Sequence, residues 1–242
     1  MKDRTTRLFP GAMLRIVTIR WGNAYSQNDV TRLQNSIICS VPYTFHCVES
    51  DYEDFTPYHE KHYRGKGAPS SPREIIHNGY HRDDLGGIPH HRKLCLFNLD
   101  KNFNEDDKIL YLDLDTVIEG DLAYFDDLSL SQPYIVKNYW WEDGTDWKRL
   151  YSRTRCPLFN SSVLLWKRGQ NRPIYNTART QADKIFYTYP SVDTFLFHNF
   201  RNWFAHFDRG IIQSRRVNES KSNNRIIEML EGLPSDEKRS TL

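Results

Sequence analysis

The chain has 242 residues, enough for one sizeable α/β domain and too few for two of ordinary size. Its 33 lysines and arginines nearly balance 31 aspartates and glutamates, and a net charge of +2 gives no electrostatic footprint for nucleic-acid binding. Apolar residues make up 38% and aromatics 14%, so a ring-rich core is expected, with Trp and Tyr left over for a ligand cleft.

Cys39, Cys47, Cys95 and Cys156 form no C-x-x-C pair, and the first three fall in apolar or mixed stretches. Reduced, structural thiols are expected, as suits a cytoplasmic protein. The start, MKDRTTRLFPGAML, lacks the uninterrupted apolar stretch of a signal peptide. No window approaches the roughly 18–20 apolar residues of a membrane span. The expectation is a soluble protein, with peripheral membrane contact left open.

Leu14–Ile19 is a short β-branched apolar run ending in Arg20-Trp21-Gly22-Asn23, the pattern of a buried strand that delivers a loop at its carboxyl end. Asn28-Asp29 can start a helix, because Val30, Leu33, Ile37 and Ile38 follow at helical spacing. Tyr43–Val48 alternates as a second strand. Strand, helix, strand is a βαβ unit, which predicts a parallel sheet with ligands at the strand carboxyl ends.

Residues 52–92 are rich in Tyr, His, Arg, Gly and Pro and show little periodicity, as a functional loop would. Lys93–Phe97 reads as helical. Lys108–Leu112 (KILYL), Tyr134–Lys137 and Leu158–Trp166 read as strands, Val192–Phe200 as a helix and Ile211-Ile212 as a last short strand. From Asn218 the chain is polar, so residues 1–217 are expected to form one domain. Residues 218–242 then make a tail, with a short helix at Ile226–Leu230.

Asp113-Leu114-Asp115, at the end of KILYL, carries the most chemistry. A buried strand runs straight into it, so the carboxylates emerge at the sheet rim. Strand alternation predicts that Asp113 and Asp115 share a side and grip one hard cation. A cation held by two carboxylates keeps positions open for phosphate oxygens and acts as a Lewis acid on them. Two solvated acids at a strand end are the plain alternative.

LYLDLDTVIEGDL resembles the Asp-x-Asp segment of glycosyltransferases of the GT-A fold, above all the family-8-like group with glycogenin and bacterial galactosyltransferases. Asp121-Leu122 stands where those enzymes begin a helix. Other segments resemble related small bacterial and phage glycosyltransferases, and they arrive in the family's order from about residue 14 to residue 200. Ile16–Gly22 with Tyr25 resembles the end of the first strand that meets the nucleotide base, which implies donor contacts at Thr18, Trp21 and Tyr25. His91–Leu94 resembles a W-x-K-L segment, which implies that Lys93 reaches the donor phosphates. Phe159–Val163 resembles the strand lining the sugar and acceptor side, implying contacts at Asn160 and Ser161, and Leu114 between the two aspartates is a further donor-binding candidate. Val192-Asp193-Thr194 resembles the acidic segment facing the active site.

One departure stands out. The late histidine segment that completes the family-8 metal site is not recognisable, and His198 and His206 lack its flanks. That puts the third metal ligand and retaining stereochemistry in doubt.

Each residue also has a plainer reading. Lys93, with Arg92 beside it, is an ordinary first-turn cation or a point charge on phosphate. Trp21 and Tyr25 are core lids or stacking faces for a base. Asn160 and Ser161 form a turn or meet sugar hydroxyls. Asp193 stabilises a helix start or serves as the base that deprotonates an acceptor, which would make the enzyme inverting. His77, His81, His90 and His91 fit a loop surface better than zinc, lacking any Cys partner. Arg201, Arg209, Arg215 and Arg216 form a solvated face or meet an anionic acceptor or membrane.

Two rival functions remain. Asp113–Val117 also fits the D-x-D-x-[TV] motif of haloacid-dehalogenase-like Mg-dependent phosphatases, though that motif belongs on the first strand. A non-catalytic nucleotide-sugar or carbohydrate-binding protein is the other. The leading expectation is one α/β domain of GT-A type, a mostly parallel twisted sheet flanked by helices. It would use Mn²⁺ or Mg²⁺ at Asp113 and Asp115 and a nucleoside-diphosphate sugar, UDP-linked by resemblance. Lys93 and Asp193 are the catalytic candidates, the acceptor is a carbohydrate or other hydroxyl, and residues 52–92 would close over the donor.

Overall fold

The computed structural model describes residues 12–20, 25–49, 93–138, 158–181, 185, 188–189, 191–215 and 224–230. The loop expected at 52–92, Trp21, Arg92, Cys156, Arg216 and the four loop histidines lie outside the described residues.

The first strand, β1 (Leu14–Arg20), leads through helix α1 (Gln27–Asn35) to β2 (Tyr43–Glu49), and β1 and β2 pair in parallel. The expected βαβ unit is therefore present. Helix α1 opens at Ser26, whose backbone N–H and hydroxyl both donate to the Asp29 carboxylate, satisfying the helix start. After residue 92 come α2 (Leu96–Leu99), β3 (Lys108–Leu112), β4 (Thr116–Ile118), α3 (Ala123–Asp127) and β5 (Tyr134–Lys137). Then follow β6 (Phe159–Lys167), α4 (Arg172–Thr180), α5 (Val192–Phe200), β7 (Ala205–His206), β8 (Ile212–Ser214) and β9 (Ile227–Met229).

The main sheet has the order β2-β1-β3-β6-β5-β7. Only β6 runs against its neighbours, so the sheet is mostly parallel, as expected. Alternation along β3 sends Ile109 and Tyr111 into one core and Leu110 and Leu112 into the other. The first core packs Phe97, Trp166, Ala178 and Phe195 against one face of the sheet. The second packs Leu33, Phe125, Phe207 and Ile227 against the other. Both faces are covered, which is why β3 and β6 are buried along nearly their whole length rather than alternating.

Several elements differ from the sequence reading, which leaves β7 unassigned. Ile226–Leu230 is extended, not helical: β9 pairs antiparallel to β4 and parallel to β8 as the centre of a second, three-stranded sheet. Two apolar pairs around Glu228 fit either period, and pairing with two strands decides for the sheet. Residues 116–118 form a strand that the sequence reading leaves unassigned. Helix α4 is also unassigned there, although Asn171 and Pro173 mark its start and Ile174, Tyr175 and Ala178 bury one face.

Two buried acids are structural. Asp107 accepts from the Met13 N–H, the Asn104 N–H and the Arg15 guanidinium at 2.8–3.2 Å, tying the turn before β3 to β1. Asp100 accepts from the Gly169 N–H and the Trp166 indole and pairs with Arg172 at 3.3 Å, fixing the β6–α4 corner. Gly169, at φ 81°, supplies the left-handed backbone that this corner needs.

Candidate active site

Strand β3 ends at Leu112, but its ladder runs one step further, with the Asp113 N–H donating to the Ser162 carbonyl at 2.9 Å. The chain then turns. The Thr116 N–H and hydroxyl both donate to the Asp113 carbonyl, at 3.2 and 2.8 Å. This corrects the alternation argument: a turn separates Asp113 from Asp115, so strand geometry does not put them on one side.

What gathers the two acids is anchoring from opposite faces of the sheet. Asp113 continues the face of Tyr111, whose hydroxyl donates to Asp113 Oδ1, while Lys93 Nζ lies 2.8 Å from Asp113 Oδ2. Leu114 turns into the other core at 2% exposure. Asp115 is hydrogen-bonded to the Tyr25 side chain, which precedes α1, and feels the charge of Arg32 on that helix. The hydroxyls of Tyr25 and Tyr111 each lie within electrostatic reach of both carboxylates. The two acids thus share one rim.

The backbone of the turn is held at every carbonyl. Arg32 donates to Leu114 and Thr116, and the Leu230 N–H, just past β9, donates to Asp115 at 3.2 Å. The second sheet therefore pins the backbone of Asp115. Burial raises the Tyr25 and Tyr111 phenols, and the neighbouring aspartates push them further, so both stay protonated donors.

Lys93 is only 6% exposed, and Nζ also lies 3.4 Å from the carbonyl and hydroxyl of Ser161. The Ser161 N–H donates to Asp193 Oδ1 at 2.9 Å. A continuous chain of contacts therefore runs Asp193–Ser161–Lys93–Asp113–Tyr111. Burial raises the Asp193 carboxyl above its usual range, and the Lys93 charge and Ser161 hydrogen bonds offset part of that. Asp193 does sit in the first turn of α5, but the N-cap is Ser191, whose hydroxyl accepts from the Thr194 N–H. The carboxylate of Asp193 is left to serve β6.

Asn160 is turned inward: its side-chain oxygen accepts from the Ser162 N–H at 2.7 Å, beside the irregularity in the β5–β6 pairing. The residue lies within β6 rather than in a turn. Thr18 is fully buried, on the face of β1 opposite Val17. His198 stacks on Tyr189 at 5.9 Å and His206 meets Phe159 edge-on at 5.4 Å, so the late histidines pack among aromatics. Among the described residues, no group of three or more His, Cys, Asp or Glu gathers into a cation site. Arg215 pairs with Glu228 at 3.6 Å, and Arg201 and Arg209 are exposed.

Sequence reasoning missed Tyr111 and Arg32. Tyr111 had a signal: a phenol two residues before Asp113 on a strand shares its side. Arg32 had none, because its target carbonyls lie 82 and 84 residues away.

The order of the sheet, its single reversed strand and the acidic turn at the carboxyl end of β3 define the fold of GT-A glycosyltransferases. Solved structures agree. Over 94% of its length the chain is similar to a glycosyltransferase involved in glycosylating the major capsid of PBCV-1, with TM-score 0.54, 10% identity and 97% of that chain covered. It is similar to the galactosyltransferase LgtC in complex with donor and acceptor sugar analogues, at TM-score 0.53 and 15% identity over 93% of this chain and 94% of that one. Mouse xyloside xylosyltransferase 1 superposes at TM-score 0.51 and 11% identity, over 92% of this chain and 100% of that one. No family model and no curated protein sequence matches the chain. At 10–15% identity these likenesses concern the fold.

Proposed function

We propose that this chain is a metal-dependent glycosyltransferase that transfers a sugar from a nucleoside-diphosphate donor, UDP-linked by resemblance, to a hydroxyl of a carbohydrate or other acceptor. The observation that carries this reading is the pair Asp113 and Asp115 at the carboxyl rim of β3, held from both faces of a GT-A sheet.

The donor set suits Mn²⁺ or Mg²⁺. Both ligands are hard carboxylates, and such ions accept one or two of them and take their remaining oxygens from water and phosphate. A third protein ligand is not required. When bound, the ion supplies Lewis-acid stabilisation of the departing diphosphate. Lys93 adds a desolvated positive charge on the same side, which a low-dielectric site makes more effective than in water. Tyr25 and Tyr111 fix the carboxylates as hydrogen-bond donors, so the site is organised before the donor arrives.

Tyr25, Thr18 and Leu114 mark the side of the base and ribose, with Trp21 as the stacking candidate. Asn160 and Ser161 mark the sugar side, where Asn160 acts by shaping the backbone of β6. Asp193 is the acid–base candidate toward the acceptor, and burial raises its affinity for protons. Free thiols at Cys39, Cys47 and Cys95 suit a reducing, cytoplasmic setting. Among the described residues no helix is long and apolar enough to cross a membrane.

The test is a thermal-shift screen of nucleoside-diphosphate sugars with and without Mn²⁺. A specific donor is expected to raise Tm only when the metal is present, because ligand binding stabilises by mass action. Stabilisation by phosphomonoesters, or by no nucleotide at all, would sink the assignment.

A further inference from the structure

Lys93 stands where a divalent ion reaches for Asp113. Its ammonium is 2.8 Å from Asp113 Oδ2, and the Tyr111 hydroxyl donates to Oδ1. Both carboxylate oxygens of Asp113 therefore already have a donor from the chain itself. A cation arriving alone has to compete for Oδ2 and meets like-charge repulsion from an ammonium that is only 6% exposed. Lys93 cannot simply retreat to water. Among the described residues its other contacts are the Ser161 carbonyl and hydroxyl at 3.4 Å and the face of Tyr111, with Nζ 5.4 Å from the ring centroid.

A diphosphate changes both terms. It gives the cation new oxygen ligands and offers the ammonium a second anion. The lysine stem is flexible and its charge is a point with three donors, so a short swing can transfer it from one anion to the other.

We propose that Lys93 is the internal counter-ion of Asp113 and passes its charge to the diphosphate as cation and diphosphate bind, so that the two ligands bind cooperatively. The proposal rests on reading Asp113 and Asp115 as cation ligands. Its consequence is a signed and unusual one: removing a positive site residue should strengthen metal binding. By reciprocity, whatever factor diphosphate adds to metal affinity, metal adds to diphosphate affinity, and both gains shrink together when Lys93 loses its charge.

The experiment is calorimetric titration of the full chain with Mn²⁺, alone and at saturating UDP, for the wild type, Lys93→Met and Lys93→Gln. Mn²⁺ alone is expected to bind the variants about ten-fold more tightly than the wild type, with the UDP-dependent gain reduced by a similar factor. A role in packing alone would leave Mn²⁺ affinity unchanged or weaken it, and either result overturns the proposal. Should both variants fail to fold, the wild type decides by NMR of ¹³C-labelled lysine side chains. The Lys93 signal is expected to move with Mg²⁺ and UDP together and to stay put with Mg²⁺ alone; any other pattern overturns the proposal. Cooperative Mn²⁺–UDP binding that Lys93 variants do not alter removes only this inference, whereas a wild type that binds no Mn²⁺ under either condition removes the proposed function with it.

Discussion

The Arg32 guanidinium, on the first helix, donates to the carbonyl of Leu114, the residue between the two aspartates. It also reaches the Thr116 carbonyl at 3.4 Å, so one side chain brackets Asp115 from both sides. Burial lowers the Arg32 pKa, with Asp29, Asp115 and Tyr25 opposing that shift, yet an arginine so placed stays charged. Arg32→Met keeps the apolar stem and removes the two contacts. Charged hydrogen bonds of this kind are worth about 1.5–3 kcal/mol each when intact, so with two removed chemical denaturation is expected to show a loss of about 3 kcal/mol or more. Mn²⁺ affinity in the presence of UDP should fall several-fold, with Arg32→Lys, which reaches one carbonyl, in between. Unchanged metal affinity would make Arg32 a purely structural residue.

Asp113→Asn and Asp115→Asn keep the shape of each side chain and remove its charge. Metal-dependent hydrolysis of the donor is expected to drop about 10²-fold or more in each, with circular dichroism unchanged. Turnover near the wild-type rate in both variants would leave the acids as a solvated strand end.

Asp193 ties pH to both stability and activity. Its folded pKa is raised by burial, so its protonated form is favoured in the folded chain relative to the unfolded one. That contribution is full below the ordinary carboxylate range and is lost as pH rises through the elevated value. The wild type should therefore lose stability relative to Asp193→Asn as pH rises from the ordinary carboxylate range through that elevated value, measured by urea melts. If Asp193 is the base, transfer falls on the acid side of the same elevated pKa, and Asp193→Asn costs about 10²–10⁴-fold in kcat. A pH profile identical in wild type and variant would confine Asp193 to holding the Ser161 N–H.

Glu228 lies at the centre of the second sheet at 5% exposure, paired with Arg225 at 2.9 Å and Arg215 at 3.6 Å. Removing one member of a buried pair leaves an uncompensated charge, at a cost of about 3–5 kcal/mol. Glu228→Ala should lower stability by about that much. Because β9 leads directly to the Leu230 N–H on Asp115, UDP–Mn²⁺ binding should weaken as well. Arg225 also pairs with Glu119, so Glu119→Ala, at the exposed end of the network, should cost much less. Equal losses for the two variants would refute this division.

The elements legible in the sequence are those whose signal is local. KILYL is a strand because five residues are buried or nearly so on both faces, and the acids follow it directly. Val192–Phe200 is read correctly because Ser191 caps it and its apolar residues keep helical spacing. Ile226–Leu230 misleads because five residues are too few to separate a period of 2 from one of 3.6. Strand alternation does not hold at Asp113 and Asp115, because the strand ends at Leu112 and the backbone turns, and nothing local in the sequence announces either.

By itself, then, the sequence determined an α/β chain with a buried strand emptying into two carboxylates, because burial and periodicity act between near neighbours. The tertiary structure alone decided what those carboxylates touch. Lys93 is 20 residues from Asp113, Ser161 is 32 from Asp193 and Arg32 is 82 from Leu114, and side chains so far apart along a chain meet only after the sheet has fixed its strand order.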